Sequence, residues 1–235
     1  MAIFVIADLH LSFSEDKPMD IFGEKWNNHA DKIKENWQKN VSDEDIVIIP
    51  GDFSWAMHLE DTYEDFKFLN SLPGKKVLLK GNHDYWWTTI KSMRKFIQEN
   101  NFENIEFLHN NSITYNNIAL CGTRGWMFSD SENSQKMIER ENKRLLLSLQ
   151  DAIKNDGENK EILVFMHYPP CSFDKNNEID GMIFIKTMQQ FNVKQCYYGH
   201  LHGKSYSEAI EGQIGGVELK LISADFLDFK PYKIS

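Results

Sequence analysis

One pattern constrains this chain of 235 residues more than any other: short apolar runs, each ended at once by acidic, histidine or asparagine residues. Residues 2–7 lead into Asp8-Leu9-His10, 46–49 into Pro50-Gly51-Asp52, and 77–79 into Lys80-Gly81-Asn82-His83-Asp84. Residues 162–166 lead into His167-Tyr168-Pro169-Pro170, and 196–198 into Gly199-His200-Leu201-His202. Runs this uniformly apolar suit strands buried on both faces. Between them, apolar spacing predicts helices over 28–40 (Ile33, Trp37), 59–72 (Phe66, Leu69, halted by Pro73-Gly74) and 131–155. The last carries Met137, Leu145, Leu149 and Ala152 on one side, behind a serine-rich, acidic start suited to capping. Strands alternating with helices imply parallel βαβ units. The tail differs. Residues 206–210, a turn region at Gly212 and Gly215-Gly216, and 217–229 with alternating Val217, Leu219 and Leu221 predict antiparallel hairpin structure, hence a second sheet. No repeat, low-complexity tract or Gly/Ser/Pro-rich linker divides the chain, and a single domain over 1–235 is expected.

In open α/β sheets, ligands bind outside the carboxyl ends of the strands. Five strands here end in Asp, His or Asn, so those ends should converge on one rim. Residues two apart in extended chain project to the same side, which would aim Asp8 with His10 and His200 with His202. A lone histidine after a strand is usually a hydrogen-bonded loop residue. Five such segments together, in this order, resemble the calcineurin-like metallophosphoesterase superfamily, whose pattern is Asp-x-His, Gly-Asp, Gly-Asn-His-(Asp/Glu), a later His, and Gly-His-x-His. The resemblance spans Asp8 to His202. It implies an α/β fold, a four-layer αββα sandwich with two mixed sheets packed between helices.

By the same resemblance, Asp8, His10, Asp52 and His202 would hold one metal ion, and Asp52, Asn82, His167 and His200 a second, with Asp52 bridging. Imidazole nitrogens mixed with carboxylate and amide oxygens favour transition metals such as Mn, Fe or Zn over Ca or Mg. Asn82 adds an oxygen without adding charge, so two divalent ions keep a formal positive surplus that attracts phosphate. The expected nucleophile is a hydroxide bridging the ions. His83 is implied as a non-ligand that donates a proton to the leaving oxygen or bonds the phosphoryl group, with Asp84 orienting its ring.

The substrate is less legible. The balance of 26 Lys+Arg against 35 Asp+Glu gives −9, which disfavours nucleic acid and leaves a small phosphorylated substrate. Purple acid phosphatases place a metal-binding Tyr where this chain has Trp55, and protein phosphatases carry an Arg after the Gly-Asp loop that is missing here. What remains resembles phosphodiesterases of the cyclic-nucleotide type and general phosphohydrolases, with the diester reaction favoured. The alternatives are a phosphomonoesterase or protein phosphatase, and a metal-free protein-binding scaffold of the same fold. Trp55, Tyr85, Trp86, Trp87, Trp126 and Tyr168 offer a stacking wall, although most aromatic residues beside such loops pack beneath them. Arg124 is a candidate phosphate clamp or else half of a structural ion pair. His58, after the Gly-Asp loop, is a candidate substrate contact or else a partly exposed loop residue; His29 and His109 read as incidental, and Cys171 as a packing residue. Cys121, Cys171 and Cys196 form no close pair, the N-terminus has no basic start or cleavage site, and no run spans a bilayer. A cytoplasmic protein, not membrane-bound, is expected.

Overall fold

The computed structural model describes residues 1–157, 160–173 and 178–234. In chain order its elements begin β1 (Ile3–Val5), α1 (His29–Asn40), β2 (Ile46–Pro50), α2 (Tyr63–Asn70), β3 (Lys75–Leu79), α3 (Ile90–Glu99), β4 (Ile105–Phe107), β5 (Ile113–Tyr115) and β6 (Ile118–Thr123). They continue α4 (Glu132–Asp156), β7 (Glu161–Met166), β8 (Ser172–Phe173), β9 (Ile179–Asp180), α5 (Ile183–Gln190), β10 (Gln195–Tyr198), β11 (Gly212–Ile214), β12 (Val217–Leu221) and β13 (Tyr232–Lys233). The chain divides into two compact units, Met1–Phe107 with Ile222–Ser235, and Leu108–Leu221.

The first unit is built on a sheet of order β13-β1-β2-β3-β4. β1 to β4 run parallel, and β13 closes one edge antiparallel. β1 and β2 are buried along their whole length, as their unbroken apolar runs require. Helix α1 buries Ile33 and Trp37, and α2 buries Phe66 and Leu69. Of the expected helix over 59–72, Tyr63–Asn70 is α-helical and Glu60–Thr62 is a 3-10 turn. Helix α3 was not evident in the sequence. Thr89 caps it, accepting from the Ser92 N–H, and Met93 and Ile97 are buried.

The second unit has a sheet of order β11-β12-β10-β7-β6-β5, parallel at its centre and antiparallel at both edges. Helix α4 packs on β6, and α5 packs on α4 and β12. Ser131 caps α4 by accepting from the Ser134 N–H (3.2 Å). Leu145, Leu149 and Ala152 are buried beneath it, while Met137 is only half-buried. Both sheets are mixed, as expected. The tail corrects part of the expectation. Residues 206–210 form no strand, because Gly203–Glu208 is a 3-10 helix, and only Val217–Leu221 of the 217–229 run is extended. β11 and β12 do form an antiparallel hairpin through Gly215-Gly216, yet β12 runs parallel to β10 on its other side. Among the described residues no helix is long and apolar enough to cross a membrane.

One core residue breaks the usual rule. Lys76, on β3, is fully buried, and its ammonium donates to the Leu72 carbonyl. Burial pulls its pKa down to about 8. A lysine whose folded pKa lies below its unfolded value sheds its proton first in the folded state, so stability should rise with pH from about 8 toward 10.5. Lys76→Met should therefore raise stability at pH 7 by about 1–2 kcal/mol, after allowing for the lost bond to Leu72, and abolish that rise. Urea titrations of both proteins at pH 7 and pH 10 measure the effect. A variant less stable at both values would refute it.

Candidate metal centre

In the first unit, the loops after β1 and β2 are zipped together by backbone bonds. The Asp8 N–H donates to the Gly51 carbonyl, His10 to Asp52, and Leu11 to Phe53, each at 3.0 Å. Trp55 N–H returns to the Leu11 carbonyl at 2.9 Å. These bonds hold Asp8 and His10 beside Asp52, each turned sharply in the left-handed region (φ 61°, 47° and 51°). For residues other than glycine such backbone costs on the order of 1 kcal/mol each and clusters at functional sites. The expected cause is thus corrected: Asp8 and His10 come together by tight turns, not by extended spacing. Asp8 (0% exposed), His10 (3%) and Asp52 (1%) are buried. Donor atoms of Asp8 lie within 4.8 Å of those of His10 and of Asp52. His10 Nε2 is 3.9 Å from Asp52 Oδ2.

The loop after β3 closes over this group. A Cβ on Gly81 would fall 2.1 Å from Asp52 Oδ1 and 2.3 Å from the Asp52 nitrogen, so only glycine fits there. Half-buried Asn82 follows, and the His83 N–H donates to Asp52 Oδ1 (2.8 Å). Asp84 does something other than expected. Its Oδ2 accepts from the Gly81 (2.7 Å) and Asp52 (3.0 Å) N–H groups, and its Oδ1 from Phe53 (2.9 Å), Ser54 (3.4 Å) and the Trp86 indole (3.0 Å). Both oxygens are thereby committed to pinning two loops, and the reading that Asp84 orients the His83 ring is corrected. Burial pushes its carboxyl up, with these donors pulling against the shift.

Aromatic rings frame the group. Trp55 stacks on His10 (centroids 4.9 Å, 22°) and leans on His83 (4.4 Å), while its indole donates to Met19 Sδ (3.1 Å). Trp26 meets His10 edge-on at 5.8 Å. His29, read as incidental, brings Nε2 to 3.2 Å from the His10 carbonyl, and burial lowers its pKa. Its position at the start of a helix carried no signal of this. Of the supposed stacking wall, Trp86, Trp87 and Tyr168 are interior residues, while Tyr85 is 52% exposed. His58 is exposed.

In the second unit, His167 directly follows β7 and is fully buried. The Gly199 N–H donates to the His167 carbonyl (3.1 Å), which sets the loop after β10 beside it. The His167 and His200 rings lie 5.1 Å apart, and Tyr168 packs 4.2 Å from His200. His200 is left-handed (φ 73°) and His202 is half-buried and extended, so this pair too owes its placement to a turn. Arg124 follows β6. It lies 3.9 Å from the buried Glu141 and its guanidinium sits 4.6 Å over the Trp126 ring, the ion-pair alternative of the two weighed above. Cys171 is buried, and burial pushes its thiol up to about 11, so it is no nucleophile near neutral pH.

A model of the calcineurin-like phosphoesterase family matches residues 1–204. The chain belongs to this family. The chain is similar in fold to TT1561 of Thermus thermophilus, at 11% identity and TM-score 0.60, covering 98% of this chain and 96% of that one. It is similar to a protein of unknown function, AQ665 of Aquifex aeolicus (18%, TM-score 0.51, 99% and 95% covered). It is also similar to the phosphopantetheinyl hydrolase PptH of Mycobacterium tuberculosis (12%, TM-score 0.52, 99% and 95% covered). No curated protein matches the sequence. The family implies divalent metal ions, and the donors of the first unit fit them. Two buried carboxylates with oxygens within 4.8 Å of each other repel strongly unless a cation lies between them, and the adjacent imidazole suits a transition metal.

Proposed function

We propose that this phosphoesterase hydrolyses a small organic phosphoester, with diesters preferred, using two transition-metal ions such as Mn, Fe or Zn. Asp8, His10, Asp52 and His202 would hold one ion, and Asp52, Asn82, His167 and His200 the other. The observation that carries the reading is the buried Asp8–Asp52 pair, set in left-handed turns beside His10. Bound ions of this kind activate water and neutralise phosphate charge. The chain's own residues supply the rest. The backbone bonds from Asp8 and His10 to Gly51 and Asp52 hold the donors rigid before any ion arrives. His83, whose N–H donates to Asp52 Oδ1 and whose ring lies against Trp55, would donate a proton to the leaving oxygen.

The test pairs metal analysis with hydrolysis of bis(p-nitrophenyl) phosphate and p-nitrophenyl phosphate. About two metal ions per chain are expected, with chelation lowering turnover at least ~100-fold, Mn²⁺ restoring it, and the diester cleaved faster. Protein that takes up no metal and cleaves neither ester would mark a scaffold and refute the proposal. A preference for the monoester would refute the diester reading alone.

A further inference from the structure

The second unit holds a cavity of about 450 Å³ that no step above employs. His200 forms part of its wall, and the remainder is dominated by Trp126, Phe128, Phe173, Pro169 and Leu201. We infer that this cavity receives the organic group of the phosphoester, and that the group is flat, largely apolar and uncharged. The inference rests on the reading that His200 helps bind the ion to which the phosphate is drawn.

Three observations support it. The first is continuity: His200, a proposed metal ligand, lines the cavity, so a phosphoester bound beside His200 would have the cavity next to it. The second is charge. Among the described residues the lining contains no lysine or arginine, and its ionisable carboxylate, Glu208, repels a second anionic group. A polyphosphate or sugar phosphate tail would lie there without a counter-charge among the described residues, whereas an aromatic or apolar alcohol buries surface at no electrostatic cost. The third is rigidity. Trp126 is held by the Arg124 guanidinium on its face (4.6 Å), and Arg124 in turn is paired with buried Glu141, which also accepts from Thr123 Oγ1 (2.9 Å) and Arg144 (2.9 Å). Tyr168 leans on the same indole at 6.0 Å. A ring braced in this way is a preformed shelf that loses little freedom on stacking. The arrangement also gives Arg124 a part in recognition without a phosphate contact. The volume suits one bicyclic ring or a nucleoside-sized group.

Inhibition of the Mn²⁺-loaded protein by methylphosphonate and by 1-naphthylmethylphosphonate, with isothermal titration of both, tests this. The naphthyl compound should bind at least ~10-fold more tightly, the scale of one aromatic stacking contact. Trp126→Ala should erase most of that advantage and leave the methylphosphonate constant within about twofold. Met127 lines the same cavity and is 58% exposed, so Met127→Asp should leave the fold intact and cut the naphthyl advantage by at least ~3-fold. Equal affinity for the two phosphonates in the parent protein, or an advantage untouched by both variants, overturns the inference while the phosphoesterase reading stands. Failure of both phosphonates to bind, with no ester cleaved, overturns the two together.

Discussion

Asp84→Ala should destabilise the protein by about 3–5 kcal/mol, more than a typical single substitution. The carboxylate accepts from five donors, four of them backbone N–H groups in the loops after β2 and β3, at a position with no exposed surface. Alanine leaves all five buried without an acceptor, and each such loss costs about 1–3 kcal/mol before relaxation or water entry reduces it. Asp84→Asn keeps the shape but turns one acceptor into a donor facing N–H groups, and should cost a smaller part of the same loss. The measurement is urea denaturation of metal-free protein, so that weakened metal binding does not enter the comparison. Metal content should fall as well, because Asp52 loses the bond to its own N–H. A loss under about 1 kcal/mol for alanine would return Asp84 to a purely chemical role.

That contrast between architecture and chemistry marks where the sequence could be read. The ends of β1, β2, β3, β7 and β10 were legible because strands covered on both faces must be apolar throughout, which makes the polar residues that follow conspicuous. The left-handed turns at Asp8, His10, Asp52 and His200 were not, because nothing in an aspartate or histidine announces positive φ as a glycine does. Only the backbone bonds between loops impose it. β12 misled for a related reason. Its Val-Glu-Leu-Lys-Leu alternation reports one covered face and says nothing about whether a neighbouring strand runs parallel. Helices α3 and α5 are short, and in α3 the helical spacing rests on few buried residues, Met93 and Ile97. Asp84 stood in a catalytic motif and so looked like chemistry. Gly81 stood in the same motif with no role of its own, and its lack of a side chain is what lets Asp52 sit where it does.

His83→Ala should lower kcat by about 10²–10⁴ for esters with poor leaving groups and much less for p-nitrophenyl esters, with metal content unchanged. The second half of that expectation follows from the first unit's geometry. What His83 gives to Asp52 is its backbone N–H, which alanine retains, so the carboxylate keeps its 2.8 Å bond and the donor group keeps its shape. What alanine removes is the ring, half-buried between Trp55 at 4.4 Å and Tyr85 at 6.1 Å. A proton donor matters in proportion to the basicity of the departing oxygen, since nitrophenolate leaves without help whereas an alkoxide does not. A series of esters of graded leaving-group pKa, assayed on metal-matched parent and variant, therefore separates the two roles open to this ring. A steeper dependence in the variant marks proton donation. A uniform fall across the series would instead mark His83 as a phosphoryl contact, and loss of an ion would mark it as part of the metal site itself.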